Sequence, residues 1–215
     1  MKDMINILCF GDSNTFGTNP TGGRWPREIR WPGRLQTLLG SNYYIIEEGL
    51  GGRTTLFEDS FEPHRSGLTA LPYSMLSHKP LDLVILSLGT NDTKTYFNLT
   101  PRLIAKGLET LINYINNFSY GDSHYSIPRV LIISPILVGD KVTTSRFAGF
   151  DETSREKTEM LFKEYEKVAK ATNSYLLDAK IWAQPSLTDQ LHMEEEDHLR
   201  LAEAIFRKIK DIFIE

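Results

Sequence analysis

The sequence predicts an α/β fold: a three-layer α/β/α domain around a parallel sheet. Two observations carry this. Short, nearly unbroken apolar runs recur along the chain, such as LDLVILSL at 81–88 and VLIIS at 130–134, and such runs suit strands buried on both faces. Longer stretches between them carry apolar residues every three or four positions, the mark of a helix with one buried stripe. Strand and helix alternating along 215 residues imply parallel strands joined by helical crossovers, in one domain spanning 1–215.

In chain order, 5–10 (INILCF) is the first strand, ending on Gly11. A helix over 32–39 follows, opened by Pro32, which suits a first turn. The second strand is 43–47, the third 81–88, the fourth 130–134, and 175–177 is a short fifth. A helix over 101–118 presents Leu103, Ile104, Leu108, Leu111, Ile112 and Ile115. Thr153 with Glu156 reads as a capping box before Leu161, Phe162, Tyr165 and Val168. The last helix opens on Glu194–Glu196, which complements the helix dipole. Segments 53–79 and 135–150 have no clear element. Both follow strand ends, where such sheets bind ligands, so both are expected to wall a site.

Composition excludes several function classes. Net charge is −4 and no basic stripe appears, against a nucleic-acid partner. No apolar run approaches a membrane span, and the N-terminal run is too short and polar for a signal peptide, so a cytoplasmic setting with no membrane partner is expected. Cys9 is the single cysteine, so no internal disulfide is expected.

Four motifs fall at strand ends or before the last helix: Gly11-Asp12-Ser13-Asn14, the glycine block Gly49–Gly52 before Arg53, Gly89-Thr90-Asn91-Asp92, and Asp189-Gln190-Leu191-His192. Ends of parallel strands meet along one sheet edge, so Ser13, Gly52, Asn91 and His192 can converge. A serine hydroxyl is a poor nucleophile without a base. Imidazole suits that task, and a carboxylate on its other nitrogen fixes the tautomer. Asp189 and His192, three apart, fit on one loop. The N–H groups of Ser13 and Gly52 and the Asn91 amide are candidate oxyanion donors, each worth about 3 kcal/mol of barrier.

These blocks, in this order, resemble the SGNH/GDSL hydrolase superfamily over nearly the whole chain. CFGDSNTFG, RWPGRLQ, EEGLGGRTT and KPLDLVILSLGTNDTK resemble its arylesterase and acyltransferase branch. The resemblance implies a flavodoxin-like sheet of five parallel strands and hydrolysis of small-molecule esters through an acyl-enzyme, with no metal or cofactor. It implies Ser13 as nucleophile, His192 as base, Asp189 as third triad member, and Ser13, Gly52 and Asn91 as the oxyanion hole. It also implies a homo-oligomer. The chain departs from the pattern at Gln190, where the family often has glycine, and at Thr18, where the branch carries a bulky tryptophan.

Asp12, Phe16, Arg53 and Phe97, with Trp25 and Trp31, are candidates for the substrate pocket; ordinary core or loop packing is the alternative for each. His198 beside Asp197 competes with His192, but adjacent helical residues point apart and make a poor relay. Zinc on His192 and His198 lacks the usual four-residue step. His64, His78 and His124 read as surface or loop residues. Three functions stay open: a short-chain aryl or alkyl esterase with acyl-transfer ability, a carbohydrate acetylesterase, and a non-catalytic flavodoxin-like binding module. The last lacks any Lys or Arg in 11–17 to meet a phosphate.

Overall fold

In the computed structural model, which describes residues 4–118 and 125–214, five parallel strands stand in the order β2-β1-β3-β4-β5. They are β1 (Ile5–Gly11), β2 (Tyr43–Gly49), β3 (Leu83–Ser87), β4 (Arg129–Ser134) and β5 (Tyr175–Asp178). His124 lies outside the described residues. Register is set along the whole edge: Gly11 sits beside Gly49 on one side and Ser87 on the other. The motifs that follow these residues therefore start level with one another.

Alternation within each strand divides the core. Leu8, Phe10, Val84, Leu86, Val130 and Ile132 point to one face, beneath α3 (Gly67–His78), α4 (Pro101–Asn116) and α5 (Glu152–Thr172). Ile7, Cys9, Leu83, Ile85, Leu131 and Ile133 point to the other, beneath α2 (Trp31–Leu39) and α6 (Glu195–Ile214). Burial on both faces is why these strands read as continuous apolar runs. A four-residue helix, α1 (Ser13–Phe16), leaves the end of β1. β2 and β3 flank β1 on opposite sides. That topological switch point opens a crevice at the carboxyl ends, and α1 starts in it.

Two elements differ from the sequence expectation. Segment 53–79 contains α3, which is apolar on most sides (Leu68, Ala70, Leu71, Tyr73, Met75, Leu76) and has Pro72 inside it, so no helical period shows. The box that opens α5 is Asp151 with Ser154, not Thr153 with Glu156. The Asp151 carboxylate accepts from the Thr153 N–H at 2.9 Å, and Ser154 Oγ accepts from the Asp151 N–H at 3.3 Å. Both tetrads fit a capping pattern; Asp151, in extended backbone, reaches the exposed donors first.

Candidate active site

The glycine ending β1 allows a tight exit. A Cβ on Gly11 would lie 2.0 Å from Thr15 Oγ1 and 2.8 Å from the Ser87 carbonyl. The chain thus turns from strand to helix in one residue, and Asp12 caps the turn by accepting from the Asn14 N–H at 3.0 Å. Ser13 becomes the first helical residue. Its backbone N–H and its Oγ have no hydrogen-bond partner among the described residues.

The Asp189–His192 loop supplies a preoriented imidazole. His192 Nδ1 lies 2.6 Å from Asp189 Oδ2, while Asp189 Oδ1 accepts from the backbone N–H groups of Leu191 (3.0 Å) and His192 (2.9 Å). Burial alone would raise the Asp189 carboxyl; hydrogen bonds from the His192 ring and backbone hold it below the ordinary carboxylate value. The departure at Gln190 is accommodated in left-handed backbone, φ 66°. Its side chain offsets that strain locally, accepting from the Lys141 N–H at 3.2 Å and donating to the Leu187 carbonyl at 3.0 Å.

The candidate oxyanion donors gather from two further strand ends. Gly52, at φ 78°, has a backbone N–H with no partner among the described residues. Asn91 Nδ2 donates one hydrogen to the Arg53 carbonyl at 3.1 Å, which ties it to the glycine block and leaves its second hydrogen free. Behind them, the buried Asp92 accepts from the Thr55 N–H at 3.0 Å and from Thr55 Oγ1 at 2.5 Å, locking the two segments together.

Ser13, Gly52, Asn91 and His192 line one cavity of about 610 Å³. No hydrogen bond joins Ser13 Oγ to the His192 ring; without substrate, such contacts are commonly loose and tighten in the reacting complex.

The expected substrate-pocket residues sit elsewhere. Asp12, Phe16, Arg53 and Phe97 do not line this cavity. Asp12 is taken up as a helix cap and faces a small buried void. Phe16 lies under the Arg24 guanidinium, 4.0 Å away. Arg53 is buried and turned back beneath its own loop, donating to the carbonyls of Gly11 and Glu48 and stacking on Phe10. Phe97 packs against Phe57 and the hydrophobic core on that side of the molecule. Trp31 is core, and Trp25 Nε1 donates to the Met193 carbonyl at 3.2 Å.

The wall comes instead from the two segments without clear elements: Phe61, Glu62 and Arg65 from one, Arg146 to Phe150 from the other. Thr18, Lys94 and Tyr96 complete it. Lys94 holds the first segment in place, pairing with Asp59 at 2.8 Å and Glu62 at 3.0 Å. Burial would lower this ammonium, but those carboxylates outweigh it and raise it. These wall residues carry no motif, but the two segments lie in the long connections, 53–79 and 135–150, that were expected to wall a site.

His198 is no rival to His192. It is fully buried at the start of α6, its Nδ1 accepts from the Trp31 N–H at 3.3 Å, and Asp197 pairs with Arg200 instead. His78 bonds Glu48 and His64 is exposed.

Burial, then Arg34, His192 and Arg30, push the His198 ring down from 6.5 to about 3. Between those values the unfolded chain holds a proton the folded chain lacks. Acidification therefore favours unfolding, by up to about 1.4 kcal/mol per pH unit from this group. Asp12 and Asp92, both pushed up to about 6 by burial, act in the opposite sense, because the folded chain holds their protons longer. His198→Gln keeps an acceptor near Trp31 and removes the titration. Its urea-unfolding free energy should fall less steeply than the wild type's from about pH 6 to 4; parallel slopes would refute the assignment.

The sequence model of the GDSL-like lipase/acylhydrolase family matches residues 9–202. Among solved structures, Est24, a carbohydrate acetylesterase from Sinorhizobium meliloti, is 36% identical over 97% of this chain and 99% of that one, with a TM-score of 0.89. The native aryl esterase of M. smegmatis is 33% identical over 96% of this chain and 99% of that one, with a TM-score of 0.88. An acetylxylan esterase of Xylanibacter ruminicola is 33% identical over 93 residues, 43% of this chain but 18% of that protein's length. The family match runs from inside β1, through every strand and every candidate site residue, into α6, and so the chain belongs to the GDSL-like lipase/acylhydrolase family.

Proposed function

We propose that the chain is a serine esterase that cleaves short-chain carboxylic esters through an acyl-enzyme on Ser13. One observation carries this reading: a buried Asp189–His192 pair at 2.6 Å faces the same cavity as a Ser13 hydroxyl and backbone N–H donors that have no partner among the described residues. In the acylation step Ser13 Oγ bonds to the ester carbonyl carbon and its proton passes to His192 Nε2. The carbonyl oxygen takes up negative charge and is met by the N–H groups of Ser13 and Gly52 and by Asn91 Nδ2. As the tetrahedral species collapses, the bond to the alcohol oxygen breaks and the imidazolium returns the proton to it. Water then repeats the sequence on the acyl-enzyme, and Ser13 leaves as the hydroxyl. These steps need neither metal nor cofactor.

The wall supports a small ester with an aromatic or polar alcohol. Phe61, Tyr96, Phe147 and Phe150 supply aromatic surface, with Glu62, Arg65 and Lys94 among them. A second reading, a carbohydrate acetylesterase, draws on that same mixture of rings and hydrogen-bonding charges and on the activity named for Est24. Transfer of the acyl group to an alcohol belongs to the same chemistry. Thr18 at the cavity is small, which leaves room for water and favours hydrolysis. Assembly into a homo-oligomer in a cytoplasmic setting completes the reading; no helix among the described residues is long and apolar enough to cross a membrane.

The test has two parts. A phosphonylating ester reagent should label the protein once, at Ser13 by peptide mass spectrometry. Rates on p-nitrophenyl acetate, butyrate and octanoate, and on peracetylated xylose, then set the acyl and alcohol preference. Labelling at another residue would remove the reading.

A further inference from the structure

Every backbone polar group flanking His192 has an identified partner. The N–H groups of Leu191 and His192 go to Asp189, the His192 carbonyl accepts from the Ser186 N–H at 2.7 Å, and the Met193 carbonyl accepts from Trp25. The two groups left, the Leu191 carbonyl and the Met193 N–H, both meet Asn14. Its Nδ2 donates to the first at 3.2 Å and its Oδ1 accepts from the second at 3.2 Å. Asn14 is 8% exposed and is the neighbour of Ser13 on the four-residue α1. Its own N–H is fixed by Asp12.

We infer that Asn14 is a positioning residue: a carboxamide strut that sets the spacing between the Ser13 hydroxyl and the His192 ring. This rests on the esterase reading above. The two catalytic groups stand 179 positions apart in sequence, on two separate loops, so their approach depends on whatever joins those loops. Asn14 joins them by bracketing the base itself, through the carbonyl before His192 and the amide after it. A carboxamide supplies an acceptor and a donor side by side without charge at any pH, which a carboxyl does only while protonated. Leucine would leave two buried backbone groups unpaired, and a carboxylate would face the Leu191 carbonyl with nothing to donate.

The experiment compares Asn14→Leu, Asn14→Asp and Trp25→Phe with the wild type. The acylation rate is read from the pre-steady-state burst of p-nitrophenolate, and Tm is measured beside it. Asn14→Leu should slow acylation about 30- to 100-fold while the protein stays folded at assay temperature, as expected for reacting groups displaced by about 1 Å. Trp25→Phe removes a bond to the same loop from outside the nucleophile's turn and should slow acylation less than about fivefold. Equal losses in the two variants would mean the loop needs only general support, and would overturn the inference. Asn14→Asp adds a pH signature. A protonated carboxyl both donates and accepts, so its rate relative to wild type should climb as pH falls from about 8 to 5.5. A flat ratio counts against the strut. Ser13→Ala with undiminished turnover would remove the esterase reading itself; turnover that needs Ser13 yet ignores Asn14 would remove only this inference.

Discussion

Ser13→Ala is expected to lower kcat on p-nitrophenyl acetate by roughly 10⁵- to 10⁶-fold, the scale at which a triad that acts as a unit fails when its nucleophile is deleted. The loss is so large because the covalent step is removed together with the hydroxyl. Among the residues lining the cavity, His192 can activate a water, but that water has no covalent path and no fixed position. Any residual rate comes from the N–H groups of Ser13 and Gly52 and the amide of Asn91, which survive the substitution and still meet a developing oxyanion. Stability should hardly change. Ser13 Oγ makes no hydrogen bond among the described residues, and the one-turn helix is capped by Asp12 rather than by the serine. A purified variant with wild-type Tm, no covalent label and no turnover is therefore the expected result. A fall of less than tenfold would mean that another group attacks the ester.

The strand ends were legible because their information is local. β1, β2 and β3 end at Gly11, Gly49 and Ser87, within two residues of the ends read from the apolar runs, and parallel pairing sets those ends level, so the motifs that follow converge. The proposed triad and oxyanion donors fall in short segments directly after such ends or before α6, which is why their types and order could nominate them. The two segments that wall the cavity were legible from their places after strand ends, but which of their residues face it was not. Phe61 and Glu62 face the site because Lys94, more than 30 positions away, draws Asp59 and Glu62 inward. That pairing has no sequence period. Arg53, a pocket candidate with loop packing as its alternative, takes the alternative and satisfies the strand-end carbonyls of Gly11 and Glu48. Burial pushes it down to about 10, a penalty that ligand-facing exposure would have spared it. Asn14 was visible as a letter in the first motif, but its partners lie 177 and 179 residues on, and only the folded chain shows them.

Asp189→Asn should cost roughly 10⁴-fold in kcat even though it preserves shape, and the geometry says why. Asp189 Oδ1 accepts two backbone hydrogen bonds, from Leu191 and His192, at 3.0 and 2.9 Å. An amide at this position must keep its oxygen there, because turning its NH₂ toward two N–H donors would leave all of them buried and unpaired. The NH₂ is thereby directed at His192 Nδ1, 2.6 Å from the oxygen it replaces. Nδ1 then becomes an acceptor, the ring proton moves to Nε2, and the nitrogen facing the cavity has no lone pair with which to take the Ser13 proton. The ring stays in place in the wrong tautomer. Substrate binding should be unaffected, while acylation collapses. Rising pH should recover part of the rate as hydroxide removes the serine proton directly. Asp189→Ala offers the contrast: with no amide to impose a tautomer, a fraction of the rings carries the proton on Nδ1, so its kcat should exceed that of Asp189→Asn at neutral pH. If the asparagine variant retains more than about a tenth of wild-type kcat, Asp189 does not orient the base, and the Asp189–His192 bond would be structural alone.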